Sequence, residues 1–160
     1  MENNNFKTNT NWSVWTHSVS DNSWDLSSYN KIFTINNLYD YIYLASIINN
    51  NLLLKHMFFI MRNNILPLWE SEDNKNGCTY SFKIPFKLVK SELDLIIYKC
   101  ISESISKNMD NYNNINGLSI VPKKSFCIVK LWFRSSNTSL KDINTYGSHI
   151  TESNSIKKTN

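Results

Sequence analysis

Apolar residues recur along this chain with two spacings, and each spacing predicts a different element. Between residues 12 and 17 they alternate, with Trp12 and Val14 on one face and Trp15 on the other, which is typical of a strand. Alternation or a short apolar run predicts four more strands, at 57–61, 79–82, 117–121 and 126–133. In the last of these, Lys130 and Trp132 share the face opposite the apolar one, so that face is a candidate ligand surface.

Two segments have the wider spacing of a helix with one apolar face. The first covers residues 37–49, with Asn37 as the expected N-cap. The second begins at Ser91, which with the acid at Asp94 resembles a capping box, and runs to about residue 106. Its expected inward positions are Leu93, Ile96, Ile97, Cys100 and Ile101. Strands outnumber helices, so we predict an α+β fold in which helices cover one face of an antiparallel sheet.

Length and composition fit one domain. The chain has 160 residues, of which 41% are hydrophobic and 13% aromatic. We predict a flexible tail at 1–10, a folded domain at 11–150 and a flexible basic tail at 151–160. The net charge of +4 is too small to indicate nucleic acid by itself. Three unpaired cysteines and the lack of a long apolar run indicate reduced thiols and a cytosolic or nuclear location.

Trp24 and Trp69 both lie in segments predicted to be loops. Residues 20–25 are polar, so Trp24 has no apolar neighbours in the sequence that would favour its burial. Pro67 interrupts the apolar segment before Trp69 and Glu70. The alternative interpretation of each tryptophan is packing in the core, because aromatic side chains dominate core energetics.

Several spacings identify a family when taken together. Trp69-Glu70 is followed by Asn74, Gly77 and an aromatic residue, and Gly117 lies fifteen residues before a tryptophan. Residues 91–94 are the predicted start of the second helix, and the tryptophans stand at positions 12, 15, 24, 69 and 132. Over roughly residues 10–135 these features resemble the translation initiation factor 4E family, cytoplasmic proteins that bind the 7-methylguanosine cap of mRNA.

The resemblance implies how a cap would be held on the concave side of a curved sheet, with 11–150 as the cap-binding domain. Trp24 and Trp69 would stack on the two faces of the methylated base, whose positive charge is attracted to aromatic rings. Glu70 would accept hydrogen bonds from the imino and amino groups of guanine, and Trp132 would lie beside the methyl group. The residues expected to contact the phosphates are Lys123, Lys124 and Lys130.

Some positions depart from the family pattern. Lys123 stands where the family usually has arginine, and Ile128 stands where it has a second phosphate-binding lysine, so we expect a weaker phosphate contribution than the family norm. The shortened C-terminal region implies that a third helix has been deleted. Residues 146–149 would then form the final strand, and residues 153–158 a flexible loop near the cap phosphates.

The resemblance also implies a partner surface on the convex, helical face. We expect this surface to bind a scaffold protein of the initiation factor 4G type or a divergent equivalent. Ile42 replaces a tryptophan that the family uses there, so a cap-binding repressor or storage protein without the usual scaffold is an alternative function. The residues predicted for this surface are Leu38, Ile42, Tyr98 and Ser102.

Two further function classes compete with cap binding. An enzyme acting on caps would need a glutamate-rich metal helix or a glycine-rich nucleotide turn, and the sequence has neither pattern. We therefore predict a protein that is not an enzyme and has no catalytic residues, metal or cofactor. A general single-stranded RNA binder is less consistent with the specific Trp-Glu motif.

Overall fold

The computed structural model describes residues 6–106 and 114–159, and its main element is a curved seven-stranded antiparallel sheet. The strands lie in the order β2-β1-β3-β5-β6-β4-β7 across the sheet. Their bounds are β1 Lys7–Ser18, β2 Tyr29–Asn37, β3 His56–Arg62, β4 Cys78–Pro85, β5 Ile115–Pro122, β6 Phe126–Phe133 and β7 Ser155–Thr159. The helices are α1 Leu38–Ile47, α2 Asn50–Leu53 and α3 Val89–Ser106. The α+β class and the five predicted strands are confirmed.

The larger hydrophobic core lies between the sheet and the helices. All five inward positions predicted for α3 are buried, and they pack in one cluster with alternate residues of β6, namely Cys127, Val129, Leu131 and Phe133. Full burial of each aliphatic side chain contributes about 1.5–3 kcal/mol, so this face dominates the stability of the fold. The three cysteines, all in the described ranges, are buried thiols. None of the helices in these ranges is long and apolar enough to span a membrane.

The helix starts were predicted with mixed success. The Asn37 side chain accepts hydrogen bonds from the backbone N–H groups of Tyr39 and Asp40 at 2.8 and 3.1 Å, which confirms it as the N-cap of α1. The capping box at residues 91–94 is wrong, because α3 already begins at Val89 after a 3-10 turn at Phe86–Leu88. Val89 is fully buried, so the first residue of α3 packs in the larger hydrophobic core.

Two corrections concern the ends of the chain. Residues 155–159, predicted to be part of a flexible tail, form β7, which pairs with β4 from Phe82 opposite Ser155 to Cys78 opposite Thr159. Residues 7–10, assigned to the other tail, begin β1, whereas residues 1–5 and 160 lie outside the described ranges. Residues 146–149, predicted to be the final strand, are turn instead. Between β6 and β7 the one helical element is a 3-10 turn at Leu140–Asp142, which agrees with the predicted loss of a third helix.

Positions 77 and 117 have room only for glycine, because backbone atoms of neighbouring segments lie too close for a Cβ. Gly117 is paired with Trp132, and a Cβ there would lie 2.6 Å from the carbonyl oxygen of Ile60. At Gly77 a Cβ would lie 1.9 Å from the carbonyl oxygen of Phe133. Gly77 is not needed for backbone freedom, because the described glycines have no positive φ. Space, not conformation, therefore excludes a side chain at this position.

Candidate functional site

A cavity of about 450 Å³ opens on the sheet face opposite the helices, and we call it the tryptophan cavity. It brings together residues that are far apart in sequence, from the β1–β2 loop, the β3–β4 loop and strands β5 and β6. Its lining consists of Trp24, Tyr29, Phe59, Pro67, Leu68, Trp69, Glu70, Ser119, Val121, Lys130 and Trp132. All four residues predicted to contact the cap base are in this set, together with one predicted lysine.

Trp24 forms the outer wall of the cavity and rests on a histidine. The side chain is 55% exposed, and its ring stacks on that of buried His17 with centroids 4.6 Å apart and planes 7° apart. The two ring nitrogens of His17 lie 2.9 and 2.7 Å from the carbonyl oxygens of Ser18 and Ser23, and the nitrogen that carries the proton donates to its carbonyl. His17 therefore fixes both the polar loop and one face of Trp24, which leaves the other face for a ligand.

Trp132 forms the floor, and Trp69 packs on it. Trp132 is 2% exposed, and its indole N–H donates to the Ser119 hydroxyl at 3.0 Å. The rings of Trp69 and Trp132 are stacked, with centroids 4.5 Å apart and planes 25° apart. The predicted pair of Trp24 and Trp69 thus faces one cavity, but in this structure Trp69 already uses part of its surface on Trp132.

Asn74 explains the spacing of the Trp-Glu motif. Its buried side-chain amide donates to the carbonyl oxygens of Leu66 and Leu68 at 3.0 and 2.8 Å. The amide of Asn116, at the start of β5, in turn donates to the side-chain oxygen of Asn74 at 3.0 Å. Because these bonds join the loop before Trp69 to the sheet, they fix the segment that presents Trp69 and Glu70.

Glu70 supplies the negative charge of the cavity. The side chain is exposed, and its carboxylate lies close enough to Tyr29 to influence that hydroxyl. Burial raises the pKa of Tyr29 to about 12, and the charge of Glu70 adds to the shift. A cationic or hydrogen-bond-donating ligand in the cavity would therefore meet one carboxylate.

Positive charge near the cavity comes from Lys130 of β6, Lys158 of β7 and Lys123 of the β5–β6 turn. The ammonium groups of Lys130 and Lys158 lie 5.5 and 5.4 Å from the centre of the Trp69 ring. Burial lowers the pKa of Lys130, and the charges of Lys158 and Lys123 lower it further. These positive charges are therefore near one another, as an anion-binding site requires.

Lys158 is a site residue that we did not name, although residues 153–158 were expected to form a flexible loop near the cap phosphates; residues 155–159 form strand β7 instead. It lies in the segment expected to be a tail, and only the pairing of β7 with β4 brings it beside Trp69. Lys123 and Lys124 occupy the exposed turn between β5 and β6, outside the lining of the cavity. We also did not predict His17, although the alternation in β1 places it on the same face as Trp15 and so indicates that it lies on the site side of the sheet.

The predicted partner residues lie on the opposite, helical face. Ile42 on α1 is 53% exposed and Tyr98 on α3 is 47% exposed, while Leu38 and Ser102 are half-buried. The rings of Tyr41 and Tyr98, 6.1 Å apart, connect the two helices. This face is therefore apolar and accessible at its centre.

A comparison with known families agrees with this arrangement. The family model described as eukaryotic initiation factor 4E matches residues 7–159. The chain belongs to this family. A curated family member, the eukaryotic translation initiation factor 4E of Eremothecium gossypii, is 31% identical over 83 residues, which are 51% of this chain and 38% of the relative's own length.

Solved structures of family members have the same fold. Ascaris suum eIF4E-3 in complex with the m7G cap has a TM-score of 0.74 at 18% identity, and the match covers 96% of this chain and 91% of that one. C. elegans eIF4E-3 in complex with the 4E-binding protein Mextli has a TM-score of 0.80 at 12% identity, covering 96% and 93%. The family-model match extends to residue 159 and includes β7, so the folded domain extends beyond the predicted boundary at residue 150.

Proposed function

We propose that this chain binds the 7-methylguanosine cap of mRNA and acts in cytoplasmic translation initiation. The observation that carries the proposal is the tryptophan cavity, which combines aromatic walls from Trp24, Trp69 and Trp132 with one carboxylate and a rim of lysines. This combination fits a cationic base attached to a polyphosphate. The Ascaris suum relative, which is in complex with the m7G cap, supports the same ligand.

Recognition of the methylated base depends on its positive charge. Methylation at the seventh position of guanine gives the ring a charge, and cations bind best to tryptophan faces. Trp24 and Trp69 enclose the base, while Glu70 accepts charge-assisted hydrogen bonds from its imino and amino groups. Trp132, fixed by Ser119, contacts the methyl group from the floor of the cavity.

Entry of the base requires Trp69 to exchange its neighbours. In this structure its ring contacts Trp132 and the ammonium groups of Lys130 and Lys158. The charged base takes the place of these ammonium groups over the ring, and the two lysines then turn to the phosphates. At the Trp69 ring, binding therefore replaces two cation–π contacts with lysine by one with the base, and it adds two ion pairs with the phosphates.

The test is a fluorescence titration of the full chain with m7GTP and with GTP. A desolvated cation–π contact contributes about 2 kcal/mol, so we expect m7GTP to bind at least about 10-fold more tightly. Trp24→Leu and Trp69→Leu should each remove most of this preference. Tyr39→Leu is the matched control, because Tyr39 is a 62% exposed aromatic residue on α1. Equal affinity of the wild-type chain for the two nucleotides would refute the proposal.

We infer that the chain binds the cap without chemically changing it. The proposed contacts are stacking, hydrogen bonds and ion pairs, and they assign no nucleophile or general base to the cap. Incubation of capped RNA with the chain should therefore return the RNA intact. Release of a methylated nucleotide would favour an enzyme instead.

We further propose that the helical face around Ile42 and Tyr98 binds a scaffold protein. The exposed apolar side chains support this, as does the C. elegans relative in complex with the 4E-binding protein Mextli. Ile42→Asp should abolish capture of a 4E-binding peptide and leave m7GTP affinity unchanged. If the wild-type chain binds m7GTP but no such peptide, the alternative of a cap-binding repressor or storage protein is favoured, in line with Ile42 replacing the family's tryptophan.

A further inference from the structure

A second cavity, of about 500 Å³, lies at the far ends of β4 and β6, and we call it the phenylalanine cavity. Its floor is formed by Phe126 and Pro85, which are direct partners across the two strands. Its walls come from Lys83, from the β5–β6 turn and from the loop before β7. The residues that matter for its chemistry are Lys83, Ser125, Phe126, His149 and Asn154.

The two cavities share one face of the sheet. Side chains alternate along a strand, so Trp132, Lys130, Ile128 and Phe126 of β6 point to the same side. Phe126 is four residues from Lys130, which corresponds to about 14 Å along the strand. The turn that supplies Ser125 to the phenylalanine cavity also carries Lys123, whose charge reaches Lys130. The β5–β6 turn therefore adjoins the phenylalanine cavity and carries a positive charge that acts on the tryptophan cavity.

The phenylalanine cavity contains the groups that bind a nucleotide in single-stranded RNA. The Lys83 ammonium group lies 5.1 Å from the centre of the Phe126 ring, so an aromatic face and a cation are adjacent. An aromatic ring can stack on any base, and a neighbouring lysine can contact the phosphate. Lys83 is an exposed side chain that can move from the ring to a phosphate as a base arrives.

The outer wall of this cavity is held in place from two sides. The side-chain amide of Asn154 donates to the carbonyl oxygens of Lys83 and His149 at 2.9 and 2.8 Å, which joins the loop to β4. The Ser148 hydroxyl donates to the Glu92 carboxylate of α3 at 2.6 Å, and His149 Nδ1 lies 3.4 Å from the same carboxylate. The wall is therefore formed before any ligand binds, and Nε2 is the ring nitrogen of His149 left for a ligand contact.

We propose that the phenylalanine cavity binds the first transcribed nucleotides of a capped RNA, with a base on Phe126 and its phosphate at Lys83. The inference rests on the proposed cap binding, because the triphosphate held by Lys130, Lys123 and Lys158 directs the RNA chain along β6. It adds a site that recognises RNA beyond the cap and does not depend on base identity, because stacking is tolerant of sequence.

The test compares m7GTP with a capped RNA of four nucleotides at the same ionic strength. One stacked base accounts for a roughly 5- to 10-fold gain, so the capped RNA should bind more tightly by that factor. Phe126→Leu and Lys83→Gln should each bring the gain below about twofold without changing m7GTP affinity. Lys87→Gln is the matched control, because Lys87 is an exposed lysine of the neighbouring 3-10 turn and not part of the cavity.

A second readout locates the stacked base directly. With 2-aminopurine at each transcribed position in turn, one position should lose fluorescence on binding, and Phe126→Leu should restore it. The inference is overturned if the capped RNA binds no more tightly than m7GTP, or if Lys83→Gln and Lys87→Gln reduce the gain equally. Failure of m7GTP to bind better than GTP would instead refute the proposed function, and the nucleotide site with it.

Discussion

Replacing Glu70 by glutamine tests recognition of the base with little change in shape. The Asn74 hydrogen bonds hold the loop in place, so the substituted side chain starts from the same position. Glutamine lacks the charge and turns an amino group toward one of the two guanine donors. A hydrogen bond to a charged group contributes about 1.5–3 kcal/mol. Because Glu70 is exposed and must lose water on binding, we take about 1.5–2 kcal/mol, or roughly 10- to 30-fold weaker binding of m7GTP.

The assay is quenching of tryptophan fluorescence by m7GTP, with Glu72→Gln as the control. Glu72 lies in the same loop, its side chain is 85% exposed, and it forms an ion pair with Lys75 at 2.7 Å. Such surface pairs contribute little, so this variant should bind m7GTP within about twofold of the wild type. Equal losses of m7GTP affinity in the two variants would mean that Glu70 acts only through its negative charge and not through hydrogen bonds to guanine. An unchanged affinity in Glu70→Gln would refute it as the group that recognises guanine.

Three further substitutions probe the charges and the packing. Lys158→Gln should weaken m7GTP roughly 3- to 5-fold without weakening the methylated nucleoside, because the nucleoside has no phosphates. Lys157→Gln, on the opposite face of β7, should leave m7GTP affinity unchanged. Lys130→Met should raise the melting temperature at neutral pH and weaken m7GTP. Burial and like charges lower the pKa of Lys130 in the folded chain, so protonated Lys130 destabilises the fold below that pKa. This penalty disappears as the pH rises toward the ordinary lysine pKa. The difference in melting temperature between the variant and the wild type should therefore shrink as the pH rises. Gly77→Ala should destabilise the fold by about 1–3 kcal/mol in denaturant unfolding, because its Cβ would meet the carbonyl oxygen of Phe133.

The parts of the fold that the sequence predicted are those with one buried and one exposed side. In β6, Cys127 and Val129 are fully buried while Lys130 faces the tryptophan cavity, and this difference produces the alternation. In α3, the buried stripe repeats with the helical period. In both elements the side that faces the core carries the apolar residues, so the pattern of apolar and polar residues predicts the element.

The edge strand β7 could not be predicted for the same reason. In β7 no residue is fully buried, and Ile156 is 70% exposed, so the segment contains no alternation that separates a core face from a solvent face. Its position comes from pairing with β4, a contact between residues about 80 apart in sequence that no local pattern encodes. The predicted start of α3 was wrong for a different reason. The 3-10 turn at Phe86–Leu88 leads directly into the helix at Val89, before the plausible cap at Ser91.

The two halves of the proposed cap site differ in the same way, because local patterns predict one half and long-range strand pairing forms the other. Two of the groups for the base are local: Trp69 and Glu70 are adjacent, and Asn74 fixes their loop through hydrogen bonds within eight residues, so one short motif identified them. The groups for the phosphates are assembled by strand pairing, since Lys130 and Lys158 are brought together only through β4. A position-by-position comparison therefore registers Ile128 as a lost lysine, although Lys158 supplies a charge beside the same cavity. Burial and the like charges of Lys158 and Lys123 disfavour protonated Lys130, and a bound anion would offset this penalty. We therefore expect the proposed triphosphate to be stabilised by these lysines together.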